Sequence, residues 1–395
     1  MSGGAAKGRF LRVSAASPPG ACEVPSGYVQ VTSREINGRV ASTWLSGSVE
    51  DALWDDFLEG TPLGHFQQSS LWAQAKASEG WRPIRILLTI DGDPGGGFQV
   101  LARKSRFGGI GYVSKGPVLA REEPALAEFL LEQLVWTAKR HRLLALIVQV
   151  PDESRIDARL FGRRQFLPNH LIDVGRATLL ADLSRGADAI LRRLRKATAN
   201  EIRQARQRGI RIREGGEADV GTFFRLMTAT CERQGTQPNP ASEPALASVW
   251  RAFHAAGRMR LTLAEYEGEA VAGSWCFCFG ERVTGWKKGW SGRQRERHPN
   301  SLLVFEAIEW ASRQGYKLFD FCSLSPDVAR ALLRGETLSE EQRKSRDFLH
   351  LSFGDKPALL PESQIHVSRW WARGIYRTIM ANRWLRRTVK GLLRT

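Results

Sequence analysis

Apolar residues along this chain fall into short runs that switch between strand and helix spacing. The clearest stretch is 271–321. Val271–Phe279 is a continuous apolar, aromatic-rich run stopped by Gly280-Glu281-Arg282, which predicts a strand entering a hairpin, and Val283–Trp290 returns as its partner. A Gly- and charge-rich loop closes on His298-Pro299-Asn300-Ser301, where Asn300 or Ser301 is placed to cap a helix carrying Leu302, Leu303, Phe305, Ile308, Trp310 and Ala311. Gly315 ends that helix, and Leu318–Phe321 reads as a short buried strand.

The first half follows a similar plan. A helix begins near Ser48 and breaks at Thr61-Pro62-Leu63-Gly64, and a loop from His65 feeds a short helix to Lys76. Trp81–Ile90 is strand-like, 91–97 is a Gly-rich turn, and Phe98–Arg103 and the Gly108–Leu119 run give two more strands. A helix over Glu123–His141 then precedes the apolar strand Leu143–Val150. From Asp188 to Arg208 the spacing predicts one long, charged helix with a thin apolar stripe, followed by a helical pair over 219–256 and the strand Arg260–Tyr266. Helices alternating with strands in both halves predict an α/β fold with a duplicated plan. Residues 1–45 read as a flexible leader, 46–175 and 176–365 as two domains, and 366–395 as a basic amphipathic C-terminal helix.

Composition narrows the class. With 42% hydrophobic and 25% charged residues the chain is globular, and no run nears the roughly 20 apolar residues of a membrane span. No secretory h-region precedes the fold, and an odd set of five cysteines without zinc spacing fits reduced thiols in the cytoplasm. A net charge of +17 calls for an anionic partner: RNA, a phosphorylated substrate or a membrane surface. Arginine far outnumbers lysine, so base composition also contributes to the excess. The charge is nevertheless clustered. Arg192, Arg195, Lys196, Arg203 and Arg206 lie on the Arg-rich helix as candidate tRNA or anion contacts, the alternative being a solvated face. Ser368–Thr395 holds no acid and interleaves arginines with Trp370, Trp371, Ile375 and Trp384, the pattern of an interfacial helix or of a last helix docked on the core. Gly108-Gly109-Ile110-Gly111 lacks dinucleotide-loop spacing and leads into strand residues, so no nucleotide cofactor is expected. No metal-ligand spacing is present.

Several stretches resemble the Fem-type (FemABX-like) peptidoglycan-bridge aminoacyltransferases. Phe66-Gln67-Gln68-Ser69 with Trp72-Ala73 and Lys76 is similar to their N-terminal signature, and Tyr112–Val118 to their Y-x-x-x-G-P strand. Thr178–Leu183, then Ile202-Arg203-Gln204-Ala205 to Gly209-Ile210, resembles their I-R-x-A-x-x-x-G segment. Pro299–Glu306 and Ala311–Phe321 are similar to their last helix and strand. The matches run in family order from Phe66 to Gly354. The resemblance implies two tandem GNAT-like acyltransferase domains with mixed central sheets sharing a cleft, and transfer from aminoacyl-tRNA to an amine of a phosphorylated or lipid-linked peptidoglycan precursor. It implies that Lys76 and Arg233 hold acceptor phosphates, that Trp286 lines the acceptor channel, and that Gln68 belongs to the substrate-binding set. Phe348–Gly354 resembles the closing F-K-x-x-F-G motif, with Leu349 and His350 standing at its Phe and Lys positions.

Ester aminolysis needs positioning and oxyanion stabilisation more than a nucleophile triad, and none is visible. His350 is the best titratable candidate, as general base or oxyanion donor, and Asp320 is placed to orient the acceptor amine. Trp286 and Trp290, beside Lys287 and Lys288, offer stacking faces and charge. Cys276 and Cys278 share a strand face and read as core thiols. Two alternatives stay open. One is an acyl-CoA-dependent N-acyltransferase of exopolysaccharide or natural-product synthesis, although Arg293–Asn300 lacks the amide cradle that grips CoA pyrophosphate. The other is a non-catalytic RNA- or membrane-binding scaffold.

Overall fold

The computed structural model describes residues 27–105, 108–172, 174–343 and 347–392. The expected leader up to residue 26 and the last three residues of the expected C-terminal helix lie outside the described residues. Two mixed sheets of nine and seven strands are formed among the described residues. The first runs Tyr28–Ile36, Arg39–Ser46, Arg82–Ile90, Asp93–Ser105, Gly108–Ser114, Leu143–Gln149, Gln364–Val367, Phe166–Pro168, with Val118–Leu119 also paired to Asp93–Ser105. The second runs Arg211–Glu214, Met259–Tyr266, Glu269–Phe279, Arg282–Trp290, Leu318–Asp320, Ala177–Asp182, Lys356–Leu359.

Four expectations are corrected. Residues 28–45 are not leader: Tyr28–Ile36 and Arg39–Ser46 form a hairpin that edges the first sheet. Buried Asp51 anchors it, accepting from the Tyr28 hydroxyl, the Ser46 hydroxyl and Arg85 at 2.8 Å while capping the helix Ala52–Glu59 through Trp54 N. The Gly-rich turn is shorter than expected, Asp91-Gly92 alone, and Gly95–Gly97 run inside the strand Asp93–Ser105. A Cβ on Gly97 would sit 2.2 Å from the Ile86 carbonyl oxygen, so only glycine allows the helix and strands to approach this closely. The Arg-rich helix is two helices, Ala187–Arg193 and Lys196–Gln207, because Leu194 and Arg195 take extended ψ values of 144° and 140°. Lastly, the chain after residue 363 is not a single appended helix. Gln364–Val367 enters the first sheet between Leu143–Gln149 and Phe166–Pro168, and two helices follow, Trp370–Ala381 and Arg383–Leu392.

The two units share one core. Trp54, Leu58, Phe66 and Trp72 from the first pack in a single cluster with Phe223, Trp250, Phe253, Trp275 and Phe277 from the second. Phe66 stacks on Phe277 at 4.3 Å, and Phe253 lies 4.5 Å from the same ring. Burying each such side chain contributes about 1.5–3 kcal/mol, so the contact resembles a domain interior more than a mobile interdomain seam.

Candidate active site

The site grows from one strand pair. Arg282–Trp290 and Leu318–Asp320 run parallel only from Arg282↔Leu318 to Thr284↔Asp320, and then part. Asp320 drives the separation: its Oδ1 accepts from Cys322 N at 2.7 Å and from the Thr178 hydroxyl, and Cys322 takes a left-handed φ of 57°. Beyond Thr284 the strand therefore continues without that neighbour. Lys288 reaches across to His350, its Nζ against Nε2. With the ammonium protonated, Nε2 accepts and the imidazole is neutral. His350 also stacks on Phe321 at 5.0 Å and 29°.

His350 rides on the helix Asp347–Phe353, and two arginines from the expected anion-binding set or beside it hold that helix in place. Arg195 donates to the Phe348 carbonyl at 3.1 Å and to Ser352, with its guanidinium 3.7 Å over the Phe348 ring. Arg193 donates to the Phe353 carbonyl at 2.6 Å and pairs with Asp355. The break at Leu194-Arg195 is what aims Arg195 there. Of the other arginines, Arg206 pairs with Glu306 at 2.8 Å and Arg203 donates to Asn200 at 2.9 Å, while Arg192 and Lys196 are exposed. The helix Pro299–Arg313 is not capped as expected. His298 is its N-cap residue in a left-handed conformation, and Ser301 donates to Glu201 at 2.6 Å.

A basic, aromatic patch borders the opening. The register slips between Trp275↔Lys287 and Cys276↔Gly285, leaving Trp286 as the extra residue of a bulge. That turns Trp286 into the shared core, edge-on to Trp72 at 6.1 Å and 5.0 Å from Phe277. Lys287 lies 5.4 Å over Trp286, and Lys76, paired with Glu79 at 2.6 Å, lies 5.1 Å over Trp72. Burial, with the charge of Lys76, holds Lys287 below the ordinary lysine value against the opposing pull of Cys322 and Cys231. At the far end of the strand Arg233 donates to the Trp290 carbonyl and lies 4.9 Å over its ring. The structure thus brings Lys76 and Trp286 together, and sets Arg233 beside Trp290 on the same strand. Gln68 has a different place. It is fully buried, donates to the Ser114 carbonyl at 2.8 Å and accepts from Gln99 N at 2.8 Å, so its amide braces the first sheet rather than facing a substrate.

Sequence reasoning missed a buried polar chain between the units. Asp152 accepts from Lys115 and, at 2.9 Å, from Arg282, which reaches Asp320 at 3.4 Å. Burial opposes the Asp152 carboxylate, yet Lys115, His65 and Arg282 bring its pKa down to about 2. His65, buried beside them, is kept well below the ordinary histidine value by burial, then by Lys115 and Arg282. Lys115 stood in the Y-x-x-x-G-P stretch and Arg282 in the hairpin turn; nothing in their spacing pointed to each other. Lys288 was visible only as one of two adjacent lysines. No group of three or more His, Cys, Asp or Glu residues able to hold a metal is found among the described residues.

Comparison with known proteins agrees with this fold. The FemAB family model matches residues 49–155 and an acetyltransferase (GNAT) domain model matches residues 192–327. Lipid II:glycine glycyltransferase of Staphylococcus saprophyticus subsp. saprophyticus is 25% identical over 236 residues, covering 57% of this chain and 56% of the relative. Its counterpart in Staphylococcus haemolyticus is 25% identical over 231 residues, 55% of this chain and 54% of the relative. The chain therefore spans about half the length of the curated relatives it matches. The crystal structure of FemX superposes with a TM-score of 0.69 at 16% identity, over 82% of this chain and 97% of that one. The fold is a tandem GNAT acyltransferase fold. Within that class the chain is similar to Fem-type proteins, through the FemAB match in its first unit and the staphylococcal relatives.

Proposed function

We propose that this protein is an aminoacyltransferase that moves an aminoacyl group from aminoacyl-tRNA to an amine of a peptidoglycan precursor. The observation that carries the reading is the opened strand pair, with the Lys288–His350 contact across it and the basic, tryptophan-lined patch of Lys76, Lys287 and Trp286 beside it. The names of the staphylococcal relatives support the acceptor class. In this reading the acceptor's neutral amine attacks the ester carbonyl, a C–N bond forms and the C–O bond to the ribose breaks. The Lys288 ammonium, oriented by its hydrogen bond to His350, faces the developing oxyanion, and the amine proton passes to the departing ribose oxygen. Asp320 acts through Arg282 and Thr178 as a positioning residue. Lys76 and Arg233 meet acceptor phosphates, and exposed Arg192, Lys196 and Arg203 meet the tRNA backbone.

Acyl-CoA is a poorer donor on this chain. Pro299 removes an amide from the first turn of the helix that would cradle a pyrophosphate, and its N-cap offers no side-chain bond. Among the described residues no helix is long and apolar enough to cross a membrane. We place the protein on the cytoplasmic side, in peripheral contact with the anionic inner face where a lipid-linked acceptor resides. The test offers purified protein labelled aminoacyl-tRNA or labelled acyl-CoA with envelope precursors. Label that reaches the acceptor from tRNA and then resists ribonuclease is the expected result, and transfer from CoA alone sinks the reading.

A further inference from the structure

The C-terminal helices carry a second apolar face beyond the one that docks them. Ala372, Tyr376, Ile379 and Met380 recur at helical spacing and pack on Ile147, Ile365 and Val367 of the first sheet, which accounts for docking. Another set does not pack. Trp370 is 83% exposed, Trp371 48%, Ile375 55% and Trp384 70%, and the exposed tryptophans among the described residues all lie here. A helix held only by its core stripe would carry polar residues at those positions.

The helix Arg383–Leu392, which carries Trp384, also walls a cavity of about 380 Å³ against Asn169, His170, Ile172, Val174 and Arg176. Its walls carry Arg176, Arg383, Arg386 and Arg387, and Glu362 is the carboxylate among its described lining residues. The sequence from Ser368 onward contains no acid, so Arg383, Arg386 and Arg387 have no counter-charge on their own element. Such a cluster repels itself until an anion neutralises it.

We propose that this edge is a docking surface for an anionic lipid bilayer, the arginine-lined cavity seating headgroup phosphates while Trp370, Trp371 and Trp384 lie in the interfacial layer. Each half of the observation excludes a rival occupant. Free phosphate would use the guanidinium groups and leave the indoles in water. RNA would use the charge and stack on an indole, but would leave Ile375 exposed. A bilayer surface satisfies both, since indoles sit at the headgroup level and arginines bind phosphate in two-pronged fashion. The inference deepens the membrane placement above and rests on it, not on the transfer chemistry.

Cosedimentation of the full chain with vesicles tests it, using phosphatidylglycerol mixed into phosphatidylcholine against phosphatidylcholine alone. Affinity for the anionic vesicles is expected to be at least about tenfold higher, with tryptophan emission shifting to the blue on binding. Arg383→Glu/Arg386→Glu/Arg387→Glu should lower that affinity about 100-fold, and Trp370→Ser/Trp384→Ser about tenfold. Because none of these side chains is buried, circular dichroism of both variants should match the parent. Equal binding to neutral and anionic vesicles overturns the proposal, and so does a vesicle affinity untouched by either variant. Tight RNA binding without vesicle binding, lost in the charge-reversed variant, would reassign the surface to RNA. Transfer to a water-soluble, lipid-free acceptor should be unchanged in both variants; its absence in the parent would sink the transfer reading and leave the vesicle result standing.

Discussion

Each unit contains a parallel strand pair at the same point of its plan, and the two pairs end differently. In the first, Gly108–Ser114 and Leu143–Gln149 stay in register to Ser114↔Gln149. The mouth beyond is then filled: Gly116 N donates to the Gln149 carbonyl at 2.9 Å, Gln68 donates to Ser114, and the Gln149 amide donates to the Gly175 and Pro361 carbonyls. In the second, the strands part after Thr284↔Asp320, and side chains that ionise or accept protons, Lys288 and His350, meet across the gap. One copy of the motif has become a joint and the other an opening. The difference lies less in the strands than at their ends, where one pair meets glutamines and passing backbone and the other meets the Asp320–Cys322 turn.

The comparison breaks most severely at the polar chain joining the two pairs. Asp152→Asn should lower stability by about 3–5 kcal/mol, because Lys115 and Arg282 would remain buried without their shared carboxylate. A depressed folded pKa stabilises above the unfolded value near ~3.9 and loses that contribution as pH falls toward the folded value of about 2. Thermal melts of the parent should therefore drop between these limits by an amount the variant lacks, and parallel acid profiles would remove Asp152 from the joint. Next, Lys288→Ala should reduce kcat about 10²–10³-fold with the melting temperature little changed. Activity retained within a few-fold would show that the opening is not where the ester reacts. In the closed mouth the effects should separate the other way. Gly116→Ala puts a Cβ 2.7 Å from the Gln68 Oε1, and is expected to cost about 1–3 kcal/mol of stability while kcat per folded molecule holds. The smallest effect sharpens the acceptor side: Arg233→Ala should raise KM about tenfold for a phosphorylated acceptor and less for its dephosphorylated form. Equal losses would take Arg233 out of the phosphate contact.

How far the sequence could be read depends on how local each signal is. The hairpin over 269–290 and the helix Pro299–Arg313 were legible because apolar runs and turn residues announce them within a few positions. Lys76 and Arg233 could be named only through family resemblance, since they sit on two separate elements. The Lys115–Asp152–Arg282 chain was invisible because charged residues at such separations carry no periodicity. Gln68 was misread for a similar reason: a glutamine in a motif looks alike whether it faces substrate or strands. The split of the Arg-rich helix was also hidden. Leu194 and Arg195 are ordinary helix formers, and contacts to Phe348 and Ser352 override that local preference.

The strand Gln364–Val367 has a consequence for synthesis on the ribosome. It slots between Leu143–Gln149 and Phe166–Pro168, so the earlier-made sheet lacks an interior strand until residue 367 has been translated. During that interval Leu143–Gln149 presents an unpaired edge, a surface on which nascent chains aggregate or recruit chaperones. The unit that leaves the exit tunnel first is thus completed only after Lys356–Leu359, the edge strand of the second sheet, has been made.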